Sequence, residues 1–469
     1  MKKILTGIAR LFRNCPVAGG CVVFCLIPVL AWVAFDAYSR SRFASTIRSI
    51  EHEGIICRYS GLKGRNTPSP EEVLAEFTHL GEAMRKAEDQ YTSEKTWKVD
   101  IAALVAEEAA LLEEADLFLD RNPQLFFAHD FDGLPCSEEF AEVNFSRCWA
   151  RINTGRIRLL MREGRMDDIP RLLERTARLR DYLLHDLETM PWLVAQVMEN
   201  MRFDVFCELA ATGGIAQFQS EQLQQWERES LETEEAFRNQ IPIITEADMA
   251  FLTALGINPD YVLETCSVSH CFRWFFRPLI LLDVAGFLEL YRIAYPKLVV
   301  SDSLAEVQAE LLHVRKEFSE NRTLLKMIGE SPWYTWPRPV RGKDPSLDDW
   351  FFWPCVEIIS EAGTIYARQR TLRAGLAAER FLRDHGRPPA TLEELVPEYL
   401  PEVPRNPFTG DPLKLESGRF SRLLPNGELE SFEGFRISGG GSMSAAPVEF
   451  TRVIRTYGLP VGNQSRKTE

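Results

Sequence analysis

Residues 366–412 read YARQRTLRAGLAAERFLRDHGRPPATLEELVPEYLPEVPRNPFTGDP, and the way this stretch divides decides the C-terminal architecture. Ala367, Thr371, Ala374, Ala378 and the pair Phe381/Leu382 recur at helical spacing, with intervening arginines and acids expected to face water. That predicts an amphipathic helix stopped near Gly386. Gly375 runs against it, because a glycine inside a helix costs about 1 kcal/mol relative to alanine. Pro388 and Pro389 lack a donor and push their predecessors toward extended backbone. Thr391 followed by Glu394 forms a capping-box pattern, which predicts that a helix restarts there. Prolines at 397, 401, 404, 407 and 412 keep the following chain tight and irregular. The landmarks of the block are cap residues, turn residues and the apolar anchors Leu392, Leu395, Tyr399, Leu400 and Phe408. We therefore expect a structural clasp folded back on the preceding helix.

Outward from this block, a long helix is expected to begin between residues 348 and 354. Downstream, segments 413–416, 420–424 and 428–437 are separated by Ser417-Gly418 and Pro425-Asn426-Gly427, which are hairpin signals. A small antiparallel sheet is expected there, followed by a Gly/Ser linker (438–447), one more strand (450–457) and a disordered tail.

The motifs Gly386-Arg387-Pro388-Pro389, Leu392-Glu393-Glu394-Leu395-Val396-Pro397, Tyr399-Leu400-Pro401 and Asn406-Pro407-Phe408 resemble the C-terminal block of a family of bacterial single-pass envelope proteins. They are similar, more distantly, to the globular part of type II secretion pseudopilins. The resemblance covers about a tenth of the chain and implies a membrane-tethered envelope protein. Pro388 stands where that family has an aromatic residue and Asn406 where it has an acid. No processed pseudopilin leader surrounds Gly19-Gly20, so assembly into a pseudopilus is not implied.

At the other end, residues 17–35 (VAGGCVVFCLIPVLAWVAF) form an uncharged apolar run long enough to cross a ~30 Å hydrocarbon layer as a helix. Lys2, Lys3, Arg10 and Arg13 precede it and, by the positive-inside tendency, keep the N-terminus cytoplasmic, although Arg40 and Arg42 weaken the asymmetry. Trp32 and Phe35 occupy the −3 positions of the available cleavage sites, which favours an uncleaved anchor over a signal peptide. The expected location is therefore the inner (cytoplasmic) membrane, with a single pass and an extracytoplasmic body.

The formal net charge is −14, and removing the four basic residues of the flank leaves −18 for the remainder. An acidic body argues against nucleic acid as a partner, since phosphates need a positive footprint. Of ten cysteines, seven follow residue 35. Cys136 with Cys148 and Cys266 with Cys271 are the local candidates for pairing in an oxidising compartment.

Between the two ends the pattern is helical. Ser69-Pro70-Glu71-Glu72 is a second capping box with proline at the first helical position. Helices are expected to about residue 91, from about 98 to 121, and almost without interruption from 138 to 211. Within that span, residues 148–184 resemble one tetratricopeptide-like hairpin turning at Gly164. It occurs once, so an antiparallel helix pair is the expectation and a solenoid-like array the sharper alternative. Further helices are expected at 220–237 and from a capping box at Ser303. Residues 279–291 are apolar, but Asp283 and Glu289 mark them as a buried helix rather than a second span.

Four features invite chemistry. Cys266, His270 and Cys271 are good zinc ligands but lack a nearby fourth, so a disulfide or buried thiols are the plainer reading. The sequence His129-Asp130-Phe131-Asp132-Gly133 with Glu139 resembles part of a calcium loop. Ala128 at the first ligand position and Pro135 inside the loop favour a polar turn. The aromatic clusters Trp333, Tyr334, Trp336, Trp350, Phe351, Phe352, Trp353 and Phe272, Trp274, Phe275, Phe276 can stack on sugars or sit at a membrane surface, although their ordinary use is core packing. Asp348 and Asp349 are adjacent, which on a helix points them about 100° apart, and mark a helix start.

The expected architecture is mainly α: a basic flank (1–16), a transmembrane helix (17–35), a juxtamembrane helix and connector (36–68), and an exported multi-helix body (69–347). A long helix with clasp and β-hairpin subdomain (348–437) and a tail (438–469) complete it. No catalytic, cofactor-binding or metal-binding residue is assigned. The leading functional expectation is a non-catalytic interaction or scaffolding protein of the bacterial cell envelope, touching lipid through residues 17–35 and an envelope protein partner. The alternative is an envelope hydrolase acting on wall or glycan material.

Overall fold

A computed structural model describes residues 16–62, 67–92, 99–127, 141–187, 189–260, 270–300, 347–423, 429–439 and 448–457, with single positions between and the side chains of 16–28, 270–276 and 347–360 left aside. The helices are α1 (Pro16–His52), α2 (Glu71–Tyr91), α3 (Ile101–Glu107), α4 (Ala109–Arg121), α5 (Ala141–Glu163), α6 (Ile169–Leu184), α7 (Thr189–Thr212), α8 (Ser220–Ile257), α9 (His270–Val300) and α10 (Leu347–His385). Three strands follow, β1 (Lys414–Leu423), β2 (Leu429–Gly439) and β3 (Val448–Tyr457), paired as an antiparallel meander in the order β1-β2-β3. The fold is mainly helical with a small antiparallel sheet, as the sequence implied. The chain divides into two compact units.

The first unit takes the chain to Leu62 together with Glu246–Ala294 and His313–Phe351. In it α1 is buried on one side from Ser39 to Ile50, and Leu281, Val284, Phe287, Leu288 and Tyr291 make α9 the buried helix expected at 279–291.

The second unit takes Lys63–Thr245, Tyr295–Leu312 and Phe352–Glu469. Its N-terminal core gathers Phe77, Phe118, Trp149 and Tyr182, with the Phe77 and Trp149 rings stacked at 6.3 Å. Helices α5 and α6 form the expected antiparallel pair. Gly164 at φ 73° ends α5, and the amides of Gly164 and Arg165 close onto the carbonyls of Met161 (3.3 Å) and Leu160 (3.0 Å). The span expected as one helix at 98–121 is two, broken at Glu108, whose amide still reaches Leu104 O at 2.9 Å. Helix α8 runs past its expected end at 237 to Ile257, carrying Pro242 in its interior.

Residues 392–413 pack against α10 and the sheet. Leu392, Leu395, Tyr399, Leu400 and Leu413 join Ala374, Ala378 and Phe381 of α10 and Phe435, Ile437 and Phe450 of the sheet in one hydrophobic cluster. Gly386, at φ 67°, ends α10 with its amide on Leu382 O at 2.8 Å. Gly375 has its reason here: a Cβ on it would lie 2.5 Å from the Phe450 ring, so only a bare backbone lets β3 approach α10 this closely.

Neither capping box forms as expected. Ser69 Oγ accepts the Phe126 amide (3.0 Å), a pairing across 57 residues, so the hydroxyl ties α2 to the segment after α4 instead of capping its own helix. Thr391 makes no side-chain cap, and residues Leu392–Leu395 form a single 3-10 turn instead of an α-helix. Glu394 does reach back, accepting Ala390 N–H at 3.3 Å and Arg387 Nη1 at 2.9 Å. A further correction concerns water. The arginines and acids of α10 expected on a solvent face are largely enclosed, with Arg370, Arg373 and Arg380 side chains 17%, 15% and 14% exposed and Glu379 2%.

Candidate functional site

The polar groups most able to do chemistry lie where α10 passes between α7, α8 and β3 in the second unit. Glu199 on α7 sits at the centre, 2% exposed at its side chain. Its Oε2 accepts Arg180 Nη1 (2.5 Å) and Arg202 Nη1 (2.9 Å), and its Oε1 accepts Gln369 Nε2 (2.8 Å). Arg180 also donates to Thr233 Oγ1 at 3.1 Å, and Ser230 Oγ donates to Gln369 Oε1 at 2.7 Å. The network thus links four helices. Burial acts to raise the Glu199 pKa, but the two guanidiniums outweigh it and hold the carboxyl below its ordinary range. For Arg180 burial likewise opposes the charge, and Asp181 and Glu199 win, so its pKa is raised.

One turn further along α8, Glu234 accepts Arg370 Nη2 (2.7 Å) and Arg373 Nη2 (2.6 Å). It too is held low, burial being outweighed by Arg373 and Arg370. Arg370 Nη1 continues to the carbonyl of Arg405 at 2.9 Å, which fastens the clasp to the same network. On the opposite flank Arg452 of β3 donates its Nε to Glu379 Oε2 at 2.6 Å. Both carboxylates are bonded to arginines of the same chain, an arrangement that fixes helix register.

Glu227 differs. It bonds Arg380 at 2.7 Å through Oε2, while its buried Oε1 has no partner. Burial dominates over Arg380 and pushes its pKa up to about 7. Nearby on α7 Asp204 is raised by burial against Arg368 and Arg158, and burial pushes the Cys207 thiol up to about 12 while its Sγ donates to Glu449 O at 3.5 Å. A thiol held protonated in this way is a poor nucleophile at neutral pH.

Most residues singled out in the sequence fall elsewhere. Residues 129–139, Cys136, Cys266, Trp333, Tyr334 and Trp336 lie outside the described residues, as do the side chains of Cys271, Phe272, Trp274, Phe275, Phe276 and 347–353. Helix α10 begins at Leu347, so Asp348 and Asp349 stand at a helix start. Cys148 is a free buried thiol, as is Cys57, and the pairing expected of Cys148 is not seen. Among the described residues no group of three or more His, Cys, Asp or Glu side chains could hold a metal ion. The charged network went unread in the sequence. Its one signal was that acids at 227, 229 and 234 face arginines at 370, 373 and 380 at matching helical intervals.

Among the described residues one helix is long and apolar enough to cross a membrane, and it is α8 rather than the N-terminal one; 61% of its apolar window is buried in protein, as in a core helix. Comparison with family models, characterised proteins and solved structures finds no match.

Proposed function

We propose that the chain is a single-pass protein of the bacterial cell envelope, anchored in the cytoplasmic membrane by residues 17–35 with its N-terminus inside, and that its helical body is a non-catalytic scaffold for an envelope protein partner. One observation carries this reading. On α1, Val29, Leu30 and Val33 are 55%, 64% and 59% exposed, whereas from Ser39 onward the same helix turns a buried face to its unit. An outward apolar stretch on a helix that then becomes ordinary core suits lipid on one side of residue 38 and protein on the other. The envelope assignment rests on the motifs of residues 386–408. The scaffold assignment is supported by the buried carboxylates, which are spent on arginines of the same chain.

The test uses the full chain in bacterial membranes. Resistance to alkaline carbonate extraction, together with an active C-terminal alkaline phosphatase fusion, is expected. Release by carbonate, or an inactive phosphatase fusion alongside an active cytoplasm-dependent reporter at the same C-terminus, would overturn the anchor or its orientation. Turnover of wall fragments by the purified protein would overturn the scaffold reading.

A further inference from the structure

Arg380 of α10 touches α8 and the clasp at once. Its Nη1 donates to Glu227 Oε2 at 2.7 Å, and its guanidinium carbon lies 5.3 Å from the centre of the Tyr399 ring. Tyr399 is also held by α10, its hydroxyl donating to Asp384 Oδ2 at 2.7 Å and its ring meeting that of Phe381 edge-on at 5.7 Å. The amides of Tyr399 and Leu400 close onto the carbonyl of Leu395 at 2.8 and 3.0 Å, and Leu395 is fully buried. The grip of Arg380 on the Tyr399 ring is therefore a grip on the whole 395–400 turn.

The other end of Arg380 rests on an incompletely satisfied acid. Both side chains are nearly enclosed, Glu227 at 13% and Arg380 at 14% exposed, and Glu227 Oε1 is buried with no hydrogen-bond partner. The surrounding ionisable groups are engaged elsewhere. Arg383 of α10 donates to the carbonyls of Phe218 and Ile215, Arg202 of α7 lies on Glu199 and Glu229, and Asp384 takes the Tyr399 hydroxyl. Burial and Asp384 push that hydroxyl up to about 12, so it keeps its proton throughout the neutral range. His385 of α10 stacks on Phe381 at 4.1 Å and lies 6.3 Å from the Tyr399 ring. Arg380 is the charge that acts on Glu227, and burial outweighs it, which keeps a proton on the carboxyl up to about pH 7.

Loss of that proton to water leaves a carboxylate with one bare oxygen in a dry site, an arrangement that costs free energy until a donor meets it. Arg380 can meet it by turning a second nitrogen onto Oε1, the two-pronged geometry arginine favours with carboxylates. That turn takes the guanidinium off the face of Tyr399. We propose that Glu227 and Arg380 form a proton-controlled latch on the clasp, closed while Glu227 carries its proton and loosened when the proton leaves. The coupling runs both ways: a docked clasp favours the protonated acid, and the protonated acid favours the docked clasp. The latch stands apart from both the membrane anchor and the partner surface.

Hydrogen exchange of the full chain in detergent at pH 6 and pH 8, corrected for the intrinsic rate, tests it. Protection of the 395–400 segment should fall about three- to tenfold from pH 6 to pH 8, the worth of one cation–π contact, relative to residues 203–209 of α7. Glu227→Gln, which carries no charge at either pH, should hold the pH 6 level at both. His385→Gln should retain the fall in full. No fall in the parent chain, or a fall of equal size in 203–209, would overturn the latch. So would a fall that persists in Glu227→Gln or vanishes in His385→Gln, since either moves the controlling proton to another group.

Discussion

Arg452 of β3 and Glu379 of α10 meet at 2.6 Å with side chains 6% and 2% exposed, and this pair fastens the terminal sheet to the long helix. Arg452 also donates to the carbonyl of Val453, so the guanidinium is held by its own strand as well. Removing one partner strands a buried charge, and Glu379→Leu or Arg452→Met alone should each cost about 3–5 kcal/mol. The double variant should recover most of that loss. Chemical denaturation of all three against the parent protein checks it, and a double variant as unstable as the sum of the singles would contradict it.

Gly375→Ala should destabilise despite the better helix propensity of alanine. Propensity offers about 1 kcal/mol, whereas forcing the new Cβ against the Phe450 ring costs about 1–3 kcal/mol. Adding Phe450→Leu should remove most of the clash. Melting temperatures of the two variants decide the matter.

In the clasp, Leu395 is fully buried, so Leu395→Ala should cost about 2–5 kcal/mol. Thr391→Ala should cost less than about 0.5 kcal/mol because its hydroxyl caps nothing, although a working N-cap is worth about 0.5–2 kcal/mol. Ser69→Ala should be felt more, at about 1 kcal/mol, through the lost bond to Phe126. Urea midpoints should fall most for Leu395→Ala, less for Ser69→Ala and least for Thr391→Ala.

Glu227 has a folded pKa pushed up to about 7, above its ordinary 4.5. Between those values the folded protein holds a proton that the unfolded chain has released. The stability this contributes is full below about pH 4.5 and is lost as pH rises through 7. Glu227→Gln should therefore flatten the decline between pH 5 and pH 8 by about 1–3 kcal/mol relative to the parent. Glu199 and Glu234, held low, act oppositely and lose their contribution as pH falls below 4.5. Unfolding curves at four pH values, compared between the two proteins, isolate the Glu227 part.

Burial pushes the Cys57 thiol up to about 11 and raises that of Cys148 further. Thiol reagents at pH 8 should modify neither in the native protein and both in denaturant, which mass spectrometry of labelled peptides reads directly.

The sequence by itself determined the elements whose signal is local. Gly164 and Gly386 marked helix ends because positive φ is cheap only for glycine there, and Pro425-Asn426-Gly427 marked a β1–β2 hairpin. The periodic apolar residues of 366–382 marked a helix, and the apolar anchors of 392–413 marked its clasp. What only the tertiary structure decided was the partner of each polar group. Ser69 and Thr391 carry a cap pattern, yet a hydroxyl bonds whichever donor the fold brings closest, and for Ser69 that donor is 57 residues away. The arginines of α10 read as a solvent face because periodicity records apolar positions alone. Carboxylates from α7 and α8 and the Arg452 guanidinium of β3, brought in by packing, turned that face into a buried network centred on Glu199, Glu234 and Glu379. The register of α1 against α9 was likewise beyond the sequence, since it depends on contacts between residues as far apart as Glu53 and Arg292.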